Sequence, residues 1–433
     1  MPSKDEAVDE TSLSESAATS TWLLVAIATG AFAGGALGWL APEWGVAVGI
    51  AGDLWLRMLR MLVIPLIVAS MIHGVANLGD VRKLGGLGGM TIGFYLASSA
   101  IAGTIGLVLV NTIEPGIGVD IRGAASLEGA GGVDTPGWED MITSLVTPNL
   151  VQAAADTEIL PLIIFSLAFG AVLTTIGDAG ERVIDMVDGV LKAVMKLVHL
   201  VMLVAPVGIF GLVAARFGEA GGGDGVIALF EGLAMFALVV VVGLAIHMVV
   251  VLGGVLTLLG HKNPFRYVQH LATALTTAFA TASSAATLPV TMKGAEEGGV
   301  SEKATRFVLP LGATINMDGS ALYEAVAALF IAQAWGIDIG LGGQVIVVIT
   351  AVLSSVGAAG IPEAGLVTMV VVLQAVGLPL EGLGLLLAID WLLDRFRTAV
   401  NVWGDAVGAA VIERWMPDDL TEEPGDMAAE PAE

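Results

Sequence analysis

The sequence predicts an all-α polytopic membrane protein with eight transmembrane helices plus two re-entrant helical hairpins, arranged as inverted repeats. Three observations carry that prediction. Of the 433 residues, 56% are hydrophobic and only 14% charged, with a mean hydropathy of +0.86, a balance foreign to soluble globular chains. Apolar stretches of roughly eighteen residues or more recur, long enough to cross about 30 Å of hydrocarbon as helices. Two further apolar stretches are broken in the middle by Ser, Gly and Pro, as expected of chain that enters a membrane and turns back.

Taken in order, residues 21–41 lack a basic region ahead of them and read as a first spanning helix, not a cleaved leader. Crossings follow near 47–76 and 85–112. Residues 113–146 are Gly-rich around Asp134-Thr135-Pro136-Gly137 and read as a surface loop. Residues 147–177, 183–216 and 224–259 supply three more crossings. The first broken stretch, 265–295, precedes a crossing at 304–335; the second, 341–378, precedes the last crossing at 382–414. With the chain starting inside and both broken stretches returning to their side of entry, Arg82, Lys83, Arg182, His261, Lys262, Arg266, Lys293, Lys303, Arg306 and Arg414 all fall inside. Outer loops keep chiefly Arg122 and Arg216. That is the positive-inside pattern, with both termini cytoplasmic. A broken hairpin followed by a polar-striped helix thus occurs twice, from opposite sides, the inverted-repeat design of transporters.

The net charge of −24 comes from 18 basic and 42 acidic residues. Much of the excess lies in the terminal segments 1–20 and 416–433, which read as acidic disordered tails. Nucleic acid is excluded as a partner by this charge. Acidic, Lys-poor solvent-facing segments fit a high-salt environment and equally fit plain acidic tails. There is no cysteine, and the five histidines lie without ligand spacing. No nucleophile–base pair, metal triad or cofactor loop is visible, so the chain reads as neither an enzyme nor a cofactor protein.

Polar residues inside apolar segments mark the candidate site. Asp390, Asp394, Arg397, Thr398, Asn401 and Asp405 follow the helical period and share one face of the last crossing. Ionisable residues at membrane depth are costly and mark substrate or ion paths. A carboxylate one turn from a guanidinium can hold both ends of a zwitterionic acidic molecule; the competing reading is an ion pair that merely neutralises two buried charges. Gly312, Thr314, Asn316, Asp318 and Gly319 interrupt the seventh crossing with hard oxygen donors, and Glu324 follows, requiring a proton, a cation or an arginine partner. The tip of the first hairpin, Thr281–Pro289, carries Ser283 and Ser284. That of the second, Ser354–Gly365, is a Gly- and Pro-rich candidate gate.

At these residues the chain resembles the glutamate/aspartate transporter family, the dicarboxylate/amino acid:cation symporters. The likeness runs from Thr21 to Arg414 and is densest in Ser283-Ser284…Thr287-Leu288-Pro289, Asn316-Met317-Asp318-Gly319, Gly360-Ile361-Pro362 and Asp394-Arg395-Phe396-Arg397-Thr398…Asn401…Gly404-Asp405. The resemblance implies a homotrimer in the lipid bilayer of the cell membrane. Residues 21–76 and 147–216 would form a fixed scaffold, and 85–112 and 224–414 a transport domain that slides like an elevator. It implies that Arg397 holds the substrate's side-chain carboxylate and Asp394 its ammonium, with Ser283, Ser284, Ser320, Val356, Gly360, Thr398 and Asn401 completing the pocket. Na⁺ sites are implied at Asn316, Asn401 and Asp405 with Gly312; at Thr314 with Ser355; and at Asp318 and Asn316 with Tyr95, Ser98 and Ser99.

The chain departs from archaeal members, which carry an arginine where it has Ala282; Arg395 takes that role, as in the animal transporters. Glu324 also matches the animal type, where it is tied to proton and potassium coupling. Ser320 replaces the usual Thr, and Glu363 adds a charge beside the gate. The resemblance thus implies Na⁺-coupled symport of L-glutamate and/or L-aspartate. A C4-dicarboxylate symporter and a substrate-gated anion channel are the alternatives.

Overall fold

The computed structural model describes residues 22, 25–27, 29–76, 85–119, 146–156, 159–219, 224–355 and 364–416. Every regular element among them is helical. The two acidic tails, most of the 113–146 loop and the tip of the second hairpin lie outside the described residues.

The first apolar segment, α1 (Val25–Leu40), turns at Ala41 into the 35-residue α2 (Pro42–Ala76). Both pack on a helix from later in the chain, and glycine makes this possible. A Cβ on Gly34 would stand 2.4 Å from the Phe210 carbonyl, and one on Gly208 would stand 2.4 Å from the Trp55 ring. Small residues let membrane helices approach to backbone contact, which replaces the hydrophobic drive that lipid does not supply. Trp55 is buried in this seam and donates its indole N–H to the Val201 carbonyl at 3.1 Å.

The sequence predicts single crossings at 147–177 and 183–216; the structure divides both. The first becomes α4 (Leu150–Ala155) and α5 (Ile159–Leu173), after α3 (Gly85–Ile113). The second starts earlier and bends by 55° between α6 (Asp178–Leu203) and α7 (Ala205–Glu219). Pro206 lies in the first turn of α7, where its missing N–H costs nothing but forbids continuation of the preceding helix.

The remaining elements build around the helix Asp318–Trp335. α8 (Asp224–Ile246) continues through a π turn (His247–Leu252) into Gly253–Leu258. The first hairpin is α9 (Pro264–His270), α10 (Ala272–Thr281) and α11 (Ser284–Glu297). Its tip is Ala282, in left-handed backbone (φ 51°), and Ser283, whose hydroxyl caps α11 by accepting from Ala286 N at 3.2 Å. The seventh segment is broken where Asn316 and Met317 sit, into α12 (Glu302–Ile315) and α13 (Asp318–Trp335), as the helix-opposing residues predict. The second hairpin contributes α14 (Leu341–Ser355) and α15 (Ala364–Ala375), and the last segment is the continuous α16 (Leu383–Ile412).

Nearly every residue of α13 is buried, so its carboxylates meet protein on all sides. α3 lies against it closely: a Cβ on Gly106 would meet the Leu322 carbonyl at 2.8 Å. One apolar core packs α1, α2 and α7 with α13 and the second hairpin; another packs Tyr95, the first hairpin and the end of α16. The Asn316–Met317 break falls between them. Among the described residues two helices, Gly86–Ile113 and Leu229–Leu258, are long and apolar enough to cross a membrane, and the bent α6–α7 pair makes a third when taken as one span.

Candidate substrate and cation site

α16 brings its stripe to this break with all six polar side chains buried. Arg397 is fully buried. Its Nη2 donates to Asp394 Oδ1 at 2.8 Å and stands 3.1 Å from Asp390 Oδ1. The guanidinium carbon lies 4.0 Å from the centre of the Tyr323 ring, within cation–π range. Two of its nitrogens, Nε and Nη1, are buried without a partner. A Cβ on Gly365 would stand 2.7 Å from Nη1, so α15 passes close against the guanidinium, and a larger residue there would push it aside. The ion pair weighed against a binding role is therefore present, and it leaves two donors unspent.

The candidate cation half lies one to two turns further along α16. Asp318 is fully buried; its Oδ2 accepts from Ser98 Oγ at 2.7 Å and its Oδ1 from Ser99 Oγ at 2.9 Å. Asn316 Nδ2 donates to Asp405 Oδ1 at 3.0 Å and to the Asn401 carbonyl at 3.2 Å, while its Oδ1 is buried with no partner. Tyr95 Oη lies 3.3 Å from the Val308 carbonyl and 3.4 Å from that of Asp405. Missing side chains make room: a Cβ on Gly404 would meet Asn316 Nδ2 at 2.6 Å and Asp318 Oδ2 at 2.9 Å, and one on Gly312 would meet Asp405 Oδ1 at 2.7 Å. Carboxylate, amide, hydroxyl and carbonyl oxygens around an unspent amide oxygen are the donors a hard cation takes. Among the described residues no group of three His, Asp or Glu side chains is placed to hold a metal ion.

The break is locked to α16 by Gly319 N, which donates to Asn401 Oδ1 at 2.7 Å, and by Asn401 Nδ2, 3.2 Å from Met317 Sδ. Ser284 Oγ reaches the Ala313 carbonyl at 3.4 Å, tying the first hairpin to α12. Ser320 is buried in the first turn of α13. Two predicted residues serve their own helices: Thr314 Oγ1 donates to the Leu311 carbonyl at 3.0 Å and Thr398 Oγ1 to that of Asp394 at 2.8 Å. Val356 and Gly360 lie outside the described residues, as does the Ser355 side chain.

Glu324, fully buried, accepts from Ser354 Oγ at 3.2 Å and from Thr368 Oγ1. Those hydroxyls come from the two arms of the second hairpin, so one carboxylate holds both. Arg395 points away from the stripe and donates to the carbonyls of Phe279 and Ala280 at 2.7 and 2.6 Å, a cation at the C-terminal end of α10.

A family model described as the sodium:dicarboxylate symporter family matches residues 23–415. The chain belongs to that family. Human excitatory amino acid transporter 3 is 40% identical over 420 residues, covering 85% of this chain and 79% of the human one. Mouse excitatory amino acid transporter 4 is 38% identical over 443 residues, covering 85% and 78%. Rabbit neutral amino acid transporter B(0) is 38% identical over 427 residues, covering 91% and 77%. Membership makes the chain a membrane symporter.

Sequence reasoning missed three parts of the site. Tyr323 underlies Arg397; Ser354 and Thr368 hold Glu324; and His247 Nε2 lies 2.9 Å from Asp318 Oδ2. An ionisable residue deep within the apolar run 224–259 is the signal that could have found His247.

Proposed function

We propose that this symporter couples entry of L-aspartate and/or L-glutamate to Na⁺. One observation carries the reading. Five buried carboxylates, Asp318, Glu324, Asp390, Asp394 and Asp405, share this interior with one buried guanidinium, Arg397, an excess of four negative charges when all are ionised. Buried charge must be compensated, so an anionic substrate enters this region only with cations. The oxygen cluster around Asn316 and Asp318 is where they bind. Arg397 offers Nε and Nη1 to the substrate's side-chain carboxylate, and Asp394 turns to its ammonium. The relatives include both excitatory and neutral amino acid transporters; Arg397 argues for acidic substrates.

The protein works as a homotrimer in the lipid bilayer of the cell membrane, with eight crossings, two hairpins and both termini cytoplasmic. Residues 21–76 and 147–216 stay fixed while 85–112 and 224–414 slide as an elevator. Glu324, clamped between the arms of the second hairpin, couples proton or K⁺ movement to its opening. A second reading, a C4-dicarboxylate symporter, draws on the family's description. It leaves Asp394 without an ammonium to bind. Uptake of radiolabelled L-aspartate, L-glutamate and succinate into proteoliposomes under an inward Na⁺ gradient tests both. Concentrative uptake of the amino acids is expected; succinate uptake alone establishes the second reading, and uptake indifferent to Na⁺ refutes both.

A further inference from the structure

His247 is fully buried on a crossing that is otherwise almost wholly apolar, and it opens the π turn of α8. Such turns insert one residue into a helix and often mark functional positions. Here the turn is pinned to α16 by Trp403 Nε1, which donates to the Met248 carbonyl at 3.1 Å. His247 Nε2 stands 2.9 Å from Asp318 Oδ2, and its Nδ1 is buried without a partner. An ionised carboxylate only accepts hydrogen bonds, so toward one the ring donates through Nε2.

Asp318 therefore has three donors, and they differ in kind. The hydroxyls of Ser98 and Ser99 rotate and both donate and accept. When a cation arrives they turn their protons aside and offer oxygen lone pairs to it. The N–H of His247 has no such alternative, because its direction is fixed by the ring and by the turn that carries it. We infer that His247 is a positioning residue of the Asp318 cation site: it holds the carboxylate in place while the two serines change from donors to ligands. Partners of this kind orient ligands and typically change metal affinity by about 10–100-fold when removed. This inference rests on the reading of Asp318 as a Na⁺ ligand.

The test is the apparent Na⁺ affinity for supporting L-aspartate binding, measured on the purified full chain for wild type, Asp318→Asn, and His247→Leu, →Asn and →Gln. The Nε2 of glutamine reaches the place of the imidazole Nε2, whereas the Nδ2 of asparagine falls short. We expect His247→Leu and His247→Asn to weaken Na⁺ affinity by about 10–100-fold with aspartate affinity at saturating Na⁺ retained, and His247→Gln to restore it. A merely structural role would lower aspartate affinity at saturating Na⁺ as well and would not distinguish glutamine from asparagine; either result overturns the inference. So does a His247→Gln protein as impaired as His247→Leu, which decides the matter even if the other two variants do not fold. Wild-type binding independent of Na⁺ sinks the reading of the site itself. Normal Na⁺ titrations in the folded His247 variants, alongside a shifted Asp318→Asn, sink only the role of His247.

Discussion

Replacing Arg397 by alanine removes the group on which substrate choice depends. The side chain has two buried nitrogens without partners, Nε and Nη1, and each can give a charge-assisted hydrogen bond worth about 1.5–3 kcal/mol. Losing both costs about 3–6 kcal/mol, and at ~1.4 kcal/mol per decade the aspartate Kd rises by about 10²–10⁴-fold. The substitution also strands Asp390 and Asp394, which the guanidinium neutralises at 3.1 and 2.8 Å; leaving buried charge unpaired destabilises by about 3–5 kcal/mol. Lysine separates the two effects, because it keeps the charge and loses the planar fork. Calorimetric titration of aspartate and of serine at saturating Na⁺ reads the outcome. Aspartate binding is expected to vanish in Arg397→Ala and to be intermediate in Arg397→Lys, with serine binding retained or gained. Unchanged aspartate affinity in a folded Arg397→Ala protein refutes the carboxylate-binding role.

Asp318→Asn removes a full charge beside the cation, worth about 4 kcal/mol at ~4 Å and an effective dielectric near 20; the Na⁺ concentration supporting half-maximal binding should rise by on the order of 10²–10³-fold, and an unaltered Na⁺ titration counts against the site. Glu324→Gln keeps an acceptor for Ser354 and Thr368 but can no longer take up a proton, so net uptake should lose its dependence on pH or internal K⁺ while Na⁺-driven exchange persists; net uptake like wild type makes Glu324 structural. Gly34→Val drives a side chain into the Phe210 carbonyl and should destabilise the protein by about 1–3 kcal/mol, read as a lower thermal unfolding midpoint in detergent. A midpoint equal to wild type means that the α1–α7 seam is looser than described.

The parts legible in the sequence were those with local signatures. The stripe on α16 shows as a period, and the break at Asn316–Met317 shows as helix-opposing residues in an apolar run. The hairpin arms show as apolar stretches split by small residues, although the tip of the second lies outside the described residues. What the sequence hid depends on partners far along the chain. His247 meets Asp318 across 71 positions, and Thr368 meets Glu324 across 44. Periodicity tells which face of a helix is polar, not which neighbour that face meets. The 55° bend between α6 and α7 was hidden for another reason: hydropathy runs smoothly through Leu203-Val204-Ala205, and only Pro206 marks the corner.

The coupling of an anionic substrate to cations is tested most directly by the affinity for L-aspartate over a series of Na⁺ concentrations, with choline holding ionic strength constant. With several carboxylates and an unspent amide oxygen awaiting cations, the affinity should rise with Na⁺ more steeply than in direct proportion and be lost in choline alone. Aspartate binding of equal strength with and without Na⁺ would contradict the account.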